Sequence, residues 1–221
     1  MKPADDHPLS SEPWAACFLC HPDPELVFER DDGFFAMLGL GPLGAGYSLI
    51  ATEEHQPSML DLSRACVTRL ERFTALVRER LATHWPGPIA IGEHGRVAVC
   101  ATAVVRRYEP HCIHAHRLVF PGTGVIDLQL LAAEVSEFES FGSAYTAARD
   151  QVSGPYLYSE RSDGSCQLAV APSSLPRQAL RRLVALARGT PELADWKRYP
   201  GLNEVAAART VLGLDFGLEH A

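Results

Sequence analysis

The sequence has no apolar run long enough to cross a bilayer, no apolar stretch near its N-terminus and no surplus of basic residues. The first two absences leave neither a membrane span nor an export signal to expect, since a span needs about 20 consecutive apolar residues. With 20 Lys and Arg against 27 Asp and Glu the formal net charge is -7, so no general field draws in nucleic acid. An anionic ligand must then be held by local groups: particular arginines, backbone amides or a helix N-terminus. Repeats, low-complexity tracts and linker-like stretches are also missing. That leaves one domain over residues 15–150, preceded by a polar arm (1–14) and followed by an extension (151–221) packed on it. What is present is ordinary globular material, 47% hydrophobic over 221 residues and enough for one good core. A cytoplasmic location is the expectation. There the six cysteines (17, 20, 66, 100, 112 and 166) read as thiols or metal ligands, not disulfides.

Periodicity supplies the elements. Glu25–Glu29 and Phe34–Leu38 flank Arg30-Asp31-Asp32-Gly33, a hairpin signal, and Tyr47–Ala51 reads as a further strand. Between them the glycine-dense stretch 39–46 must be a loop. From Asp61 to Trp85 the apolar residues Val67, Leu70, Phe73, Val77 and Leu81 recur at spacings of three and four. They predict a long helix capped by Asp61 or Ser63, with its arginines on a solvated face. Residues 88–92 suggest a strand leading into Glu93-His94-Gly95, and a helix is expected over Glu134–Tyr145. A second hairpin, 155–160 with 166–170, turns at Ser162-Asp163-Gly164. Helices over Pro176–Ala187 and Asn203–Leu212 complete the chain, giving an α+β fold.

Two motifs carry chemistry. Cys17-Phe18-Leu19-Cys20 is half a zinc site or a redox pair, and too little chain precedes it for a thioredoxin-type βαβ unit, so a metal is favoured. Far along the chain, Cys112-Ile113-His114-Ala115-His116-Arg117-Leu118 reads as a strand whose alternation sets Cys112, His114, His116 and Leu118 on one face. Two imidazoles side by side suit a metal, or a histidine nucleophile held by its neighbours. His55, just past a strand end, adds a further ligand candidate. Cys17, Cys20, His55 and one strand histidine together make a tetrahedral Cys₂His₂ set. A catalytic zinc on His111, His114 and His116 is the rival arrangement.

The order and spacing of these motifs resemble the histidine triad (HIT) superfamily: the Cys-x-x-Cys, an aspartate-bearing turn, Pro42-Leu43-Gly44-Ala45-Gly46 running into a strand and His55, then the histidine strand closing at Pro121. Residues 155–158, the arginine-bearing helix with Arg177, Arg181 and Arg182, and Asp195–Pro200 are similar to a bacterial branch with a longer C-terminal region. The resemblance implies an antiparallel HIT-like sheet with a packed long helix and a C-terminal helical and hairpin extension. It implies a structural zinc on Cys17, Cys20, His55 and His114, as in the galactose-1-phosphate uridylyltransferase branch, with His116 as nucleophile. A second register makes Cys112 the first triad position and His114 the nucleophile; the closing proline and the completed metal set favour the first. The implied reaction is nucleotidyl transfer or hydrolysis through a covalent nucleotidyl-histidine, on a nucleotide or phosphorylated metabolite. His94, Arg106 and Arg107 are the candidates to meet the substrate, and a homodimer is the implied assembly. Two positions depart from the family pattern. Leu118 replaces the third polar triad residue, and Gly39 falls where many members carry a ribose-binding aspartate. Those departures keep two other readings in view: a zinc-pinned scaffold without turnover, and an enzyme turned to a non-nucleotide metabolite.

Overall fold

Asp32 and Gly33 reverse the chain with left-handed backbone at both positions (φ 53° and 89°), a pair that matches the twist of a tight hairpin. They join β1 (Val27–Asp31) to β2 (Phe34–Leu38) in a computed structural model that describes residues 17–97, 114–176 and 178–214. The arm 1–14, Arg106, Arg107, His111, Cys112 and Arg177 therefore lie outside the described residues. The remaining strands are β3 (Ser48–Thr52), β4 (Ile89–Gly95), β5 (His116–Pro121), β6 (Ser136–Phe138), β7 (Tyr156–Glu160) and β8 (Cys166–Val170). All eight form one antiparallel sheet in the order β1-β2-β3-β5-β4-β7-β8-β6. The expected α+β class with an antiparallel sheet is what the chain adopts. The second hairpin is continuous with this sheet, because β7 pairs with β4 and β6 caps the edge by pairing with β8.

Helix α1 (Arg64–His84) starts where Ser63 accepts a hydrogen bond from the Cys66 N–H, and it buries Val67, Leu70, Phe73, Val77 and Leu81 on one sheet face. On the same face lie α2 (Phe141–Ala148) and α4 (Leu202–Val211). The opposite face carries Cys17, Leu19, Tyr47 and α3 (Ala179–Ala187). Strand alternation thus sorts each residue into one of two cores: on β5, Arg117 and Val119 face the α1 side while Leu118 and Phe120 face the other.

Two expectations are corrected. The stretch 134–145 is not one helix. Ser136–Phe138 pairs with β8, and α2 begins only at Phe141, where Ser140 and Ser143 form a reciprocal capping box. Short-range propensity could not reveal that β8 would leave an edge free to recruit those three residues. The arginines of α1 are also more than a solvated face: Arg78 reaches Glu160 on β7 at 2.7 Å, Arg80 reaches Glu29 on β1 at 2.7 Å, and Arg69 reaches Asp32 at 2.8 Å. They tie the helix to the sheet beneath it.

Candidate functional site

The chain brings Cys17, Cys20, His55 and His114 together, with all four ligand atoms within 4.8 Å of one another. Cys17 and Cys20 lie on the turn before β1, His55 follows β3, and His114 stands two residues ahead of β5, so the cluster joins three separate stretches. Sulfur-to-nitrogen distances are 3.4 Å for Cys17–His114, 3.2 Å for Cys20–His55 and 3.5 Å for Cys20–His114. Ligand bonds of tetrahedral zinc set sulfur and nitrogen about 3.6 Å apart, close to these values.

The His114 ring is held for this task. Its Nε2 donates to the Thr52 carbonyl at 2.8 Å, which fixes the tautomer and turns the Nδ1 lone pair toward the thiols. Burial, a hydrogen bond with Cys17 and repulsion from it push the Cys20 thiol up to about 12. A thiol so raised is readily ionised only beside a cation. The donor set fits a thiophilic divalent ion. Thr52 carried no sequence signal, because its contribution is a backbone carbonyl.

His116 points elsewhere. Its Nδ1 donates to the His114 carbonyl at 2.9 Å, leaving Nε2 as the lone-pair nitrogen. Burial lowers its pKa, opposed by that hydrogen bond, lowered further by the nearby His114 and raised by Cys17. The ring lies in the wall of a cavity of about 700 Å³, within the range of small-molecule sites. His94 and Leu118 share that wall. Gly92 pairs with Leu118 across β4 and β5, and continuing the alternation for two residues brings His94 to the same face as His116. So the third triad position is apolar, but a second imidazole reaches the cavity from the neighbouring strand. Leu49, Tyr47 and Trp196 supply much of the remaining apolar surface. At Gly39 the Tyr47 ring lies where a side chain would start, so no acidic group could project from that position.

Arg117 alternates to the opposite face and is fully buried. Its Nε stands 3.6 Å from Glu93 and its Nη1 3.5 Å from Glu160, and its guanidinium stacks over Phe141 at 4.1 Å and Tyr158 at 4.6 Å. Burial raises the Glu93 carboxyl above its ordinary range, against the pull of Arg117 and of the hydrogen bonds from Tyr156 and Met59 N–H. This residue cannot reach a ligand in the cavity. From the sequence Arg117 is the lowest-ranked candidate to meet phosphate, because it alternates to the face opposite His116; its buried partners show what it does instead.

The position of His94 has a measurable consequence. Burial and, second, the nearby His116 hold its pKa down to about 4. Besides His94 and His116, the ionisable groups on the cavity wall are His21, Asp23, Tyr47 and Arg181. The unfolded chain takes up this proton near the ordinary imidazole value of about 6.5, the folded chain only near 4. Between these values the unfolded state binds more protons, so stability falls as the pH is lowered through that window. After allowance for the partial exposure of the ring, His94→Gln should recover about 1–2 kcal/mol of the loss between pH 6.5 and 4.5. Urea unfolding at a series of pH values reads this directly, and parallel curves for wild type and variant would contradict it.

No known family profile matches the sequence, and no curated protein matches it. Among solved structures, the chain is similar to a Hit-like protein involved in cell-cycle regulation from Bartonella henselae, at 13% identity and a TM-score of 0.35, over 47% of this chain and 73% of that one. It is also similar to a hypothetical histidine triad nucleotide-binding protein from Sulfolobus tokodaii, at 19% identity and a TM-score of 0.38, over 48% and 68%. Both likenesses cover about half of this chain. Among the described residues no helix is long and apolar enough to cross a membrane.

Proposed function

We propose that this protein catalyses displacement at phosphorus, with His116 as the nucleophile, on a nucleotide conjugate or a phosphorylated metabolite of similar size. The observation that carries the reading is the 2.9 Å contact between His116 Nδ1 and the His114 carbonyl: because a carbonyl only accepts, the neutral ring places its proton on Nδ1 and offers the Nε2 lone pair at the cavity wall. Nε2 attacks the phosphorus, the phosphorus–leaving-group bond breaks, and the leaving group departs with its electron pair and takes a proton. Water or a second acceptor then attacks the phosphorus and gives up its proton, while the phosphorus–nitrogen bond breaks and its electron pair returns to Nε2. One hard displacement becomes two easier ones. His94, across the strand pair, is the group able to hydrogen-bond the transferring phosphate in place of Leu118. Arg106 and Arg107 remain candidates for substrate contact that only the sequence suggests.

Zinc on Cys17, Cys20, His55 and His114 would supply no chemistry at phosphorus; it would pin the N-terminal turn to the start of β5. Because His114 belongs to that set and its carbonyl accepts from His116, fixing the first ring fixes the second. A non-nucleotide substrate is the second reading, favoured by the Tyr47 ring at Gly39 and by the apolar Leu118.

The test is direct. Protein incubated with an adenosine phosphoramidate or a dinucleoside polyphosphate, then denatured without acid and weighed intact, should carry a nucleotide adduct. His116→Ala should form none and lose turnover by at least about 10³-fold, in line with removal of other nucleophiles. Absence of any adduct and of nucleotide affinity in the zinc-loaded wild type would overturn the nucleotide reading.

A further inference from the structure

Among the described residues two arginines are buried, and they are satisfied differently. Arg117 lies between Glu93 and Glu160. Arg181, 3% exposed, forms no ion pair among the described residues. Its Nε donates to the Ala194 carbonyl at 3.1 Å and its Nη2 to Gly41 at 2.6 Å and Leu193 at 3.1 Å, while Nη1 has no hydrogen-bond partner. The guanidinium also lies over the Tyr47 ring, 4.9 Å from its centroid. Carbonyls and a ring face offset part of the burial cost but supply no anionic counter-charge.

The place of Arg181 suggests what supplies that charge. It stands in the first turn of α3, and Gln178, Ala179, Leu180 and Arg181 all line the cavity that holds His116 and His94. A Cβ built on Gly92 would lie 3.1 Å from Leu180 Cδ1, so the helix start sits directly over the β4–β5 pair that carries the two imidazoles. The first amides of a helix have no intrahelical acceptor and carry the positive end of its dipole. A helix N-terminus and an uncompensated guanidinium thus meet on one wall, in a chain whose net charge is otherwise negative.

We propose that the start of α3, with Arg181 and Gln178, is an oxyanion subsite that holds a phosphate or carboxylate of the ligand opposite His116. The inference deepens the proposed function by giving the C-terminal extension a share of the same cavity, yet it requires no chemistry from His116. Gln178 can donate to the bound oxyanion through its amide, and Arg181 provides the counter-charge. The extension then decides which anionic ligands the cavity accepts.

Binding of inorganic phosphate, measured by calorimetry and by melting temperature at constant ionic strength, tests this in the zinc-loaded full chain, with acetate as the carboxylate arm. The variants are Gln178→Glu, Arg181→Gln and His116→Ala. Gln178→Glu sets a carboxylate at a helix start, where negative charge is favourable, so the fold survives while the added charge repels or replaces the anion. The apparent Kd for the preferred anion should rise about tenfold or more in Gln178→Glu and in Arg181→Gln, as expected when a charge-assisted contact is lost. His116→Ala should keep most of the affinity, which separates failure of this subsite from failure of the nucleophile. Should Arg181→Gln not fold, Gln178→Glu alone decides. Equal affinity in wild type and Gln178→Glu, or no binding of either anion to wild type, overturns the proposal.

Discussion

Cys17→Ser protein is expected to lose its metal and to melt at least about 8–16 °C below wild type. Structural zinc in small finger peptides is worth about 10–16 kcal/mol, and even about 4 kcal/mol of that, felt globally, gives such a shift in a chain of this length. The coupling would arise because Cys17 and Cys20 sit before β1 while His114 leads into β5, so a bound ion would bridge stretches about a hundred residues apart. Elemental analysis of wild-type protein grown with ample zinc should give close to one equivalent, and the variant far less. Loss of the metal should also weaken adduct formation at His116, because the carbonyl that orders its tautomer belongs to His114. Wild-type protein free of metal under those conditions would dismiss the assignment.

Replacing Arg117 has the second large effect. Arg117→Met keeps much of the volume but leaves Glu93 and Glu160 buried without their shared cation, and removes the stacking on Phe141 and Tyr158. Breaking such a network by one member costs about 3–5 kcal/mol, whereas neutralising all members together is often tolerated. Urea unfolding should therefore show a loss of that size for Arg117→Met. Because Glu160 keeps Arg78 at 2.7 Å, a double variant that adds only Glu93→Gln should regain a large part of it. A single variant within about 1 kcal/mol of wild type would mean that the network is not held as described. Neither carboxylate faces the cavity, so the effect belongs to stability and reaches the site only through the β4–β5 pairing.

The elements set by local signals were legible. Asp32-Gly33 marked the first hairpin and Ser162-Asp163-Gly164 the second, and the spacing from Val67 to Leu81 marked α1, whose cap is the second of the two candidates, Asp61 and Ser63. Boundaries that depend on pairing were not. Residues 136–138 became a strand because β8 offered them an edge, and α3 begins at Ala179, three residues later than its pattern suggested. The site divides in the same way. Residue type and spacing singled out Cys17, Cys20, His55, His114 and His116, because few side chains bind metals or attack phosphorus. Arg181 looked no different from Arg177 or Arg182, since burial without a counter-charge is a property of its surroundings.

By itself, then, the sequence determined the α+β class, the run of strands and helices, and the residues able to ligate or to act as a nucleophile, because those follow from side-chain chemistry and from periods of 2 and 3.6 residues. Only the tertiary structure decided which of them meet. Strand order set His94 beside His116, a backbone carbonyl at Thr52 turned His114 toward the thiols, and alternation along β5 sent Arg117 into the core while leaving its neighbours on the cavity wall. Those outcomes depend on contacts between residues far apart in the chain, where neither propensity nor spacing carries information.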